Sequence, residues 1–210
     1  MRRILLSFTS LTALLLAAIG AQAQSSYVFE TSASKLEIDV FREGFLKAFG
    51  HDHLVAAKDF TGRVTLDLQK MENSLVTLRV AANSLKVIDP GASEKDRADV
   101  QAAMQGEKVL NAAKFPEIVF TSTGVTKAEK KGDAWSIIVA GTFQVHGVQK
   151  NISLPLKLSV RGEELIAEGE VFFPQSDYGI TPIKVGGGSV RVKDRLRIRF
   201  QIHARTAGGS

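Results

Sequence analysis

A chain of 210 residues without a cysteine has no thiol nucleophile, no disulfide framework and no cysteine to carry a lipid, yet it is long enough to bury one sizeable core. Its 27 Lys and Arg exceed its 22 Asp and Glu by a formal +5, but bases sit beside acids, as in Glu94-Lys95-Asp96-Arg97. That dispersal argues against nucleic acid as a partner, which needs a basic stripe or cluster.

Arg2 and Arg3 precede an uncharged run, Ile4 to Ile19, that ends near Ala21-Gln22-Ala23. Charge, apolar run and small residues in this order form a cleavable signal peptide over residues 1–23. Ser7, Thr9, Ser10 and Thr12 dilute the run below what a spanning helix prefers. The mature chain is expected to begin at Gln24 and, with no second stretch of spanning length, to reside in the periplasm rather than integrally in a membrane. A cysteine-free composition suits that compartment.

After Gln24, apolar residues alternate at period two, the mark of half-buried strands. In chain order the faces are Leu36, Ile38, Val40; Val64, Leu66, Leu68; Val76, Leu78, Val80; Ile118, Phe120; and Trp135, Ile137, Val139. They continue with Ile152, Leu154, Leu156, Leu158, Val160; Leu165, Ala167, Gly169, Val171, Phe173; and Leu196, Ile198, Phe200, Ile202. Met71-Glu72-Asn73-Ser74, Lys130-Lys131-Gly132-Asp133 and Arg161-Gly162-Glu163-Glu164 join successive runs over hairpin-sized gaps, so neighbours should be antiparallel.

One segment breaks the alternation. Ser93 to Leu110 is rich in Ala, Glu, Lys and Gln, with Ser93 placed as an N-cap, and predicts a short helix over about 93–110 that stops before Phe115-Pro116. Gly186-Gly187-Gly188 predicts a loop. The fold class is therefore all-β: an antiparallel, lipocalin-like barrel of about eight strands with one short helix. It forms a single domain over residues 24–205, followed by a frayed tail at 206–210.

His51-Asp52-His53 is the most chemically suggestive triplet, because in an extended segment both imidazoles face one side and can grip one metal ion. A stable site wants further donors, which only His146, His203 or distant carboxylates supply. His146, beside Gly147, reads as a bend between strands. No serine lies on a nucleophile turn, no carboxylate pair stands apart, and the triple glycine lacks the Lys-Ser/Thr of a phosphate loop, so the chain is read as no enzyme.

Twelve Phe, one of them in the signal segment, against one Trp and two Tyr are an apolar excess of which an ordinary core claims more than half, and a barrel of about eight strands is either just filled by side chains or left with room for one small ligand. Strand phase nominates Leu36, Ile38, Val64, Leu66, Phe120, Ile137, Val139, Leu154, Leu156, Leu158, Phe173, Ile198 and Phe200 as its lining. Gly169 and Ala167 are expected to thin it.

Tyr27-Val-Phe-Glu30, Phe60-Thr-Gly62-Arg-Val64, Phe115-Pro116-Glu-Ile118, Gly141-Thr-Phe-Gln-Val-His146-Gly147-Val148 and Asp177-Tyr178-Gly179-Ile180, in this order and spacing, resemble the YceI-like family of exported, lipocalin-shaped proteins. The resemblance runs from Tyr27 to about Ala204. Ala33 departs from a histidine common in the family, and Phe49-Gly50-His51-Asp52-His53 is similar to a subgroup. The family is associated with binding long isoprenoid lipids. The resemblance thus implies sequestration of an isoprenoid or other long-chain lipid, with a quinone-like ligand and a homodimer both compatible and no catalytic cofactor needed. Two alternatives stay open: a periplasmic metal-binding protein using His51 and His53, and a stress-related interaction protein without a ligand.

Mass analysis of the exported protein is expected to give an N-terminus at or near Gln24. An intact Met1 would remove the export assignment.

Overall fold

The computed structural model describes residues 24–43 and 52–208; residues 1–23, expected as a signal peptide, and His51 lie outside these residues. In chain order the elements are β1 (Ser25–Phe29), β2 (Lys35–Val40), β3 (Arg42–Glu43), β4 (His53–Ala57), β5 (Phe60–Leu66), β6 (Leu75–Ala81), β7 (Leu85–Val87), α1 (Glu94–Gln105) and β8 (Glu117–Lys131). There follow β9 (Ala134–Val145), β10 (Val148–Arg161), β11 (Glu164–Pro174), β12 (Lys184–Val185), β13 (Val190–Val192) and β14 (Arg195–Thr206). Among the described residues no helix is long and apolar enough to cross a membrane.

The sheet order β1-β5-β6-β8-β9-β10-β11-β14 returns from β14 to β1, closing a barrel of eight antiparallel strands. Closure depends on β14. One edge pairs with β11 from Glu164↔Arg205 to Pro174↔Arg195; the other pairs first with β1, at Tyr27↔Thr206, and then with β2, at Leu36↔Phe200. Between β1 and β2 the chain makes a single 3-10 turn over Thr31–Ala33. There the Ser34 hydroxyl substitutes for the interrupted ladder: it accepts from His203 N–H at 2.9 Å and donates to the Glu30 carbonyl at 2.7 Å. β4 extends the sheet beyond β2, and β7 beyond β4.

β7 would end the sheet with a free edge, but α1 covers it. The Gln101 amide accepts from Val87 N–H at 2.9 Å and donates to the Leu85 carbonyl at 2.7 Å, doing what a further strand would do. Ser93 caps α1 as its sequence suggests, accepting from Asp96 N–H at 3.0 Å. The helix is shorter than the expected 93–110. It stops at Gln105 because Gly106 turns extended, freeing the following residues to bring Leu110 into the core.

Two further differences have local causes. β5 stops at Leu66, since the Asp67 carboxylate accepts from Gln69 and Lys70 N–H at 3.0 and 2.8 Å and turns the chain, leaving Leu68 exposed. β8 carries register shifts between Ser122 and Gly124 and between Val125 and Lys127, which move its inward phase. At the C-terminus the ladder runs through Thr206, one residue beyond 205, and Ala207 N–H donates to the Ser26 carbonyl at 2.7 Å.

The arginines of β14 are tied into the closure. Arg199 donates Nε and Nη2 to Asp39 of β2 at 2.8 and 3.1 Å, and Arg197 Nε donates to the same carboxylate at 2.9 Å. Arg195 stacks 4.2 Å from the ring centroid of Phe172. Burial acts to raise the Asp39 carboxyl, but the hydrogen bonds and charges of Arg199 and Arg197 outweigh it and hold the group below its ordinary value.

A carboxyl depressed in the folded state stabilises above its unfolded pKa of about 4, and loses that contribution as pH falls through the folded value. Asp39→Asn is expected to lower unfolding free energy at neutral pH by about 1–3 kcal/mol. The gap from the natural chain should narrow on acidification, as read by urea melts across pH. A constant gap would mean that the ion pairs are not the source.

Candidate functional site

The barrel encloses a cavity of about 760 Å3. All the residues nominated from strand phase line it: Leu36, Ile38, Val64, Leu66, Phe120, Ile137, Val139, Leu154, Leu156, Leu158, Phe173, Ile198 and Phe200. β10 makes the cause visible, because Leu154, Leu156 and Leu158 reach the cavity while Lys157 between them is exposed and stands 3.9 Å from Glu168 of β11. Sequence reading missed Val125, which faces inward because of the β8 irregularity. It also missed Val100, Ala103 and Met104, whose helical spacing turns one side of α1 toward the cavity.

Gly169 does not thin the wall as its size suggested. A Cβ on it would stand 2.8 Å from Phe200 Cζ, so the Phe200 ring of the paired strand already occupies that place. The arrangement recurs at Gly141, covered by Phe120, and at Gly62, covered by Phe29. In each case the ring takes the place beside the backbone that a side chain at the glycine would fill, which uses three of the twelve Phe.

Polar groups enter the wall mostly at one end, where β2 finishes, β4 begins and α1 lies: Arg42, His53, Asp96, Asp99, Gln175 and Arg191. His53 Nδ1 is 2.7 Å from Oδ2 of Asp89, a carboxylate that is 2% exposed. The other oxygen of Asp89 accepts from Leu54 N–H. One ring nitrogen of His53 is therefore engaged by Asp89. Its expected companion His51 lies outside the described residues, and neither His146 nor His203 is grouped with it. Among the described residues no three His, Cys, Asp or Glu side chains converge as a metal site.

His146 is structural, as its setting predicted. With Gly147 it forms the two-residue turn of the β9–β10 hairpin, at φ values of 52° and 75°. Its Nδ1 is 3.3 Å from the Tyr178 carbonyl, and Phe115 meets its ring edge-on at 4.8 Å. Tyr178, 1% exposed, completes a mutually T-shaped trio with Phe143 and Phe173. Burial, with Asp177 adding to it, pushes the Tyr178 hydroxyl up.

The YceI-like domain family matches residues 27–204 by its sequence profile. A UPF0312 protein of Yersinia pestis (strain Pestoides F) is 30% identical over 156 residues, 74% of each chain. Protein YceI of Salmonella arizonae is 29% identical over 165 residues, 78% of this chain and 76% of the relative. Among solved structures, Burkholderia cenocepacia BcnA aligns at TM-score 0.66 and 17% identity, covering 83% of this chain and 98% of its own. The Campylobacter jejuni YCEI protein aligns at 0.52 and 16%, covering 74% and 85%. At these identities the likeness to the solved structures concerns the fold.

Leu156→Gln places an amide in the apolar wall opposite Gly169, a cost of about 1–3 kcal/mol if it goes unpaired, and should lower thermal stability measurably. Lys157→Gln, on the outer face, should not. Equal damage from the two would refute the assigned strand phase.

Proposed function

The chain belongs to the YceI-like family, and we propose that it acts as an exported, non-catalytic carrier that sequesters an isoprenoid-type amphiphile inside its barrel in the periplasm. The observation that carries this reading is the 760 Å3 cavity walled almost throughout by Leu, Ile, Val and Phe. A volume of that size lies within the range of small-molecule sites. At about 30 Å3 per chain atom, the share that a water takes in the liquid, 760 Å3 holds roughly 25 atoms, or about five isoprene units. Each five-carbon unit transferred from water gains about 3 to 4 kcal/mol before ordering costs, so three or four units suffice for useful affinity. The family's association with long isoprenoid lipids directs the choice of hydrocarbon, and the signal-like residues 1–23 support export.

A metal-binding role would rest on His51 and His53, and the engagement of His53 by Asp89 speaks for a local structural use of that imidazole instead. Mass spectrometry of organic extracts and metal analysis of one purified sample separate the readings. An isoprenoid amphiphile near one per chain, retained in His53→Ala, is the expected result. Stoichiometric zinc or copper without lipid would overturn the proposal, as would a preparation holding neither after exposure to isoprenoid-containing membranes.

A further inference from the structure

The wall's change of character at one end bears on the polar end of the bound molecule, an inference that rests on the lipid-binding reading above. Most polar groups there are already occupied by the protein. Arg191 Nε is 2.6 Å from Glu43, Asp99 is 2.5 Å from Lys95, and Gln175 donates to the Lys193 carbonyl at 2.9 Å. His53 is engaged by Asp89.

Arg42 differs. Its Nε lies 3.9 Å from Asp52 Oδ1, an oxygen that already accepts from the Arg42 backbone N–H at 2.9 Å. Its Nη1 is buried and, among the described residues, has no acceptor. The side chain as a whole is 29% exposed, so the guanidinium borders both the cavity and solvent. A buried guanidinium N–H without an acceptor is costly enough that native structures rarely keep one without a further partner.

The charges around it limit what that partner is. Asp52 stands beside Arg42, Glu43 pairs with Arg191, Asp96 and Asp99 line the same cavity, and the first turn of α1 carries Glu94 and Asp96, which offsets any attraction of its N-terminus for anions. A phosphate or diphosphate needs surplus positive charge or several free N–H donors, and of the two arginines in this wall Arg191 is already paired with Glu43.

We infer that Arg42 binds the headgroup of the sequestered amphiphile, donating to an uncharged oxygen acceptor such as a carbonyl rather than to a phosphate. Three probes with the same tail of about three isoprene units test this on the processed full chain: the plain hydrocarbon, a benzoquinone bearing that tail, and the prenyl monophosphate. Dissociation constants come from competition against a fluorescent lipid.

The quinone is expected to bind about tenfold more tightly than the hydrocarbon, one hydrogen bond from a charged donor, with the monophosphate no tighter than the hydrocarbon. Arg42→Met should abolish the quinone's advantage while leaving hydrocarbon affinity within about twofold, and Arg42→Lys should restore part of it. A quinone preference that persists in Arg42→Met, or a monophosphate that binds tightest, overturns the headgroup assignment while the carrier reading stands. If the hydrocarbon and both headgroup probes all fail to bind the natural chain, the carrier reading itself falls.

Discussion

The structure depends on closing a sheet whose last strand must satisfy both of its edges. β14 pairs with β11 along one side and divides the other between β1 and β2. The Ser34 hydroxyl bridges the gap between those two, and the Asp39 carboxylate ties β2 to Arg197 and Arg199 across the seam. An unclosed sheet would expose a row of unpaired backbone groups and drain its apolar face into solvent. The edge that closure leaves over, at β7, is met by a side chain instead of a strand. α1 buries no residue fully, yet Gln101 completes the hydrogen bonding of Leu85 and Val87.

Closure alone does not make a container, because a barrel of eight strands is near the size that its own side chains fill. Room is preserved by what stands opposite what. Where a phenylalanine ring meets a glycine on the neighbouring strand, as Phe200 meets Gly169, one ring fills the place that two side chains would otherwise crowd. The same residues add apolar wall area, so the device that creates the volume also makes it suited to hydrocarbon.

The two ends of that volume are unequal. At the far end Ser74 is absorbed locally, accepting from Asp67 N–H at 3.0 Å. At the other, ion pairs and hydrogen bonds among Glu43, Arg191, His53, Asp89, Lys95 and Asp99 form a polar rim around Arg42. A molecule with an apolar tail and a polar head therefore meets a gradient that orients it, with desolvation penalising the reversed pose.

Strand phase is a local property, and it was legible because a period of two survives whatever the strand pairs with. Leu154, Leu156 and Leu158 had to share a face once the segment was extended, and the Ser93 cap and the His146-Gly147 turn were likewise written in adjacent residues. Sequence reading went astray where one residue depends on another far away, or where a strand departs from regularity. Gly169 looked like missing volume until Phe200 was seen to cover it, and Val125 could not be placed without the β8 irregularity. The pairing of Asp39 with Arg199 spans 160 positions and that of His53 with Asp89 spans 36. The polar end around Arg42 likewise gathers residues from β3, β4, α1 and β13 that no spacing rule connects. The sequence by itself determined strands β2, β5, β6, β8 to β11 and β14, most of their inward faces and the apolar character of what they enclose, since these follow from side-chain chemistry and backbone period, whereas β1, β4 and β7 lie in no alternating run that was read from it. Only the tertiary structure decided how much space remains and where its polar end lies, because volume and electrostatic balance are sums over neighbours that the chain brings together only on folding.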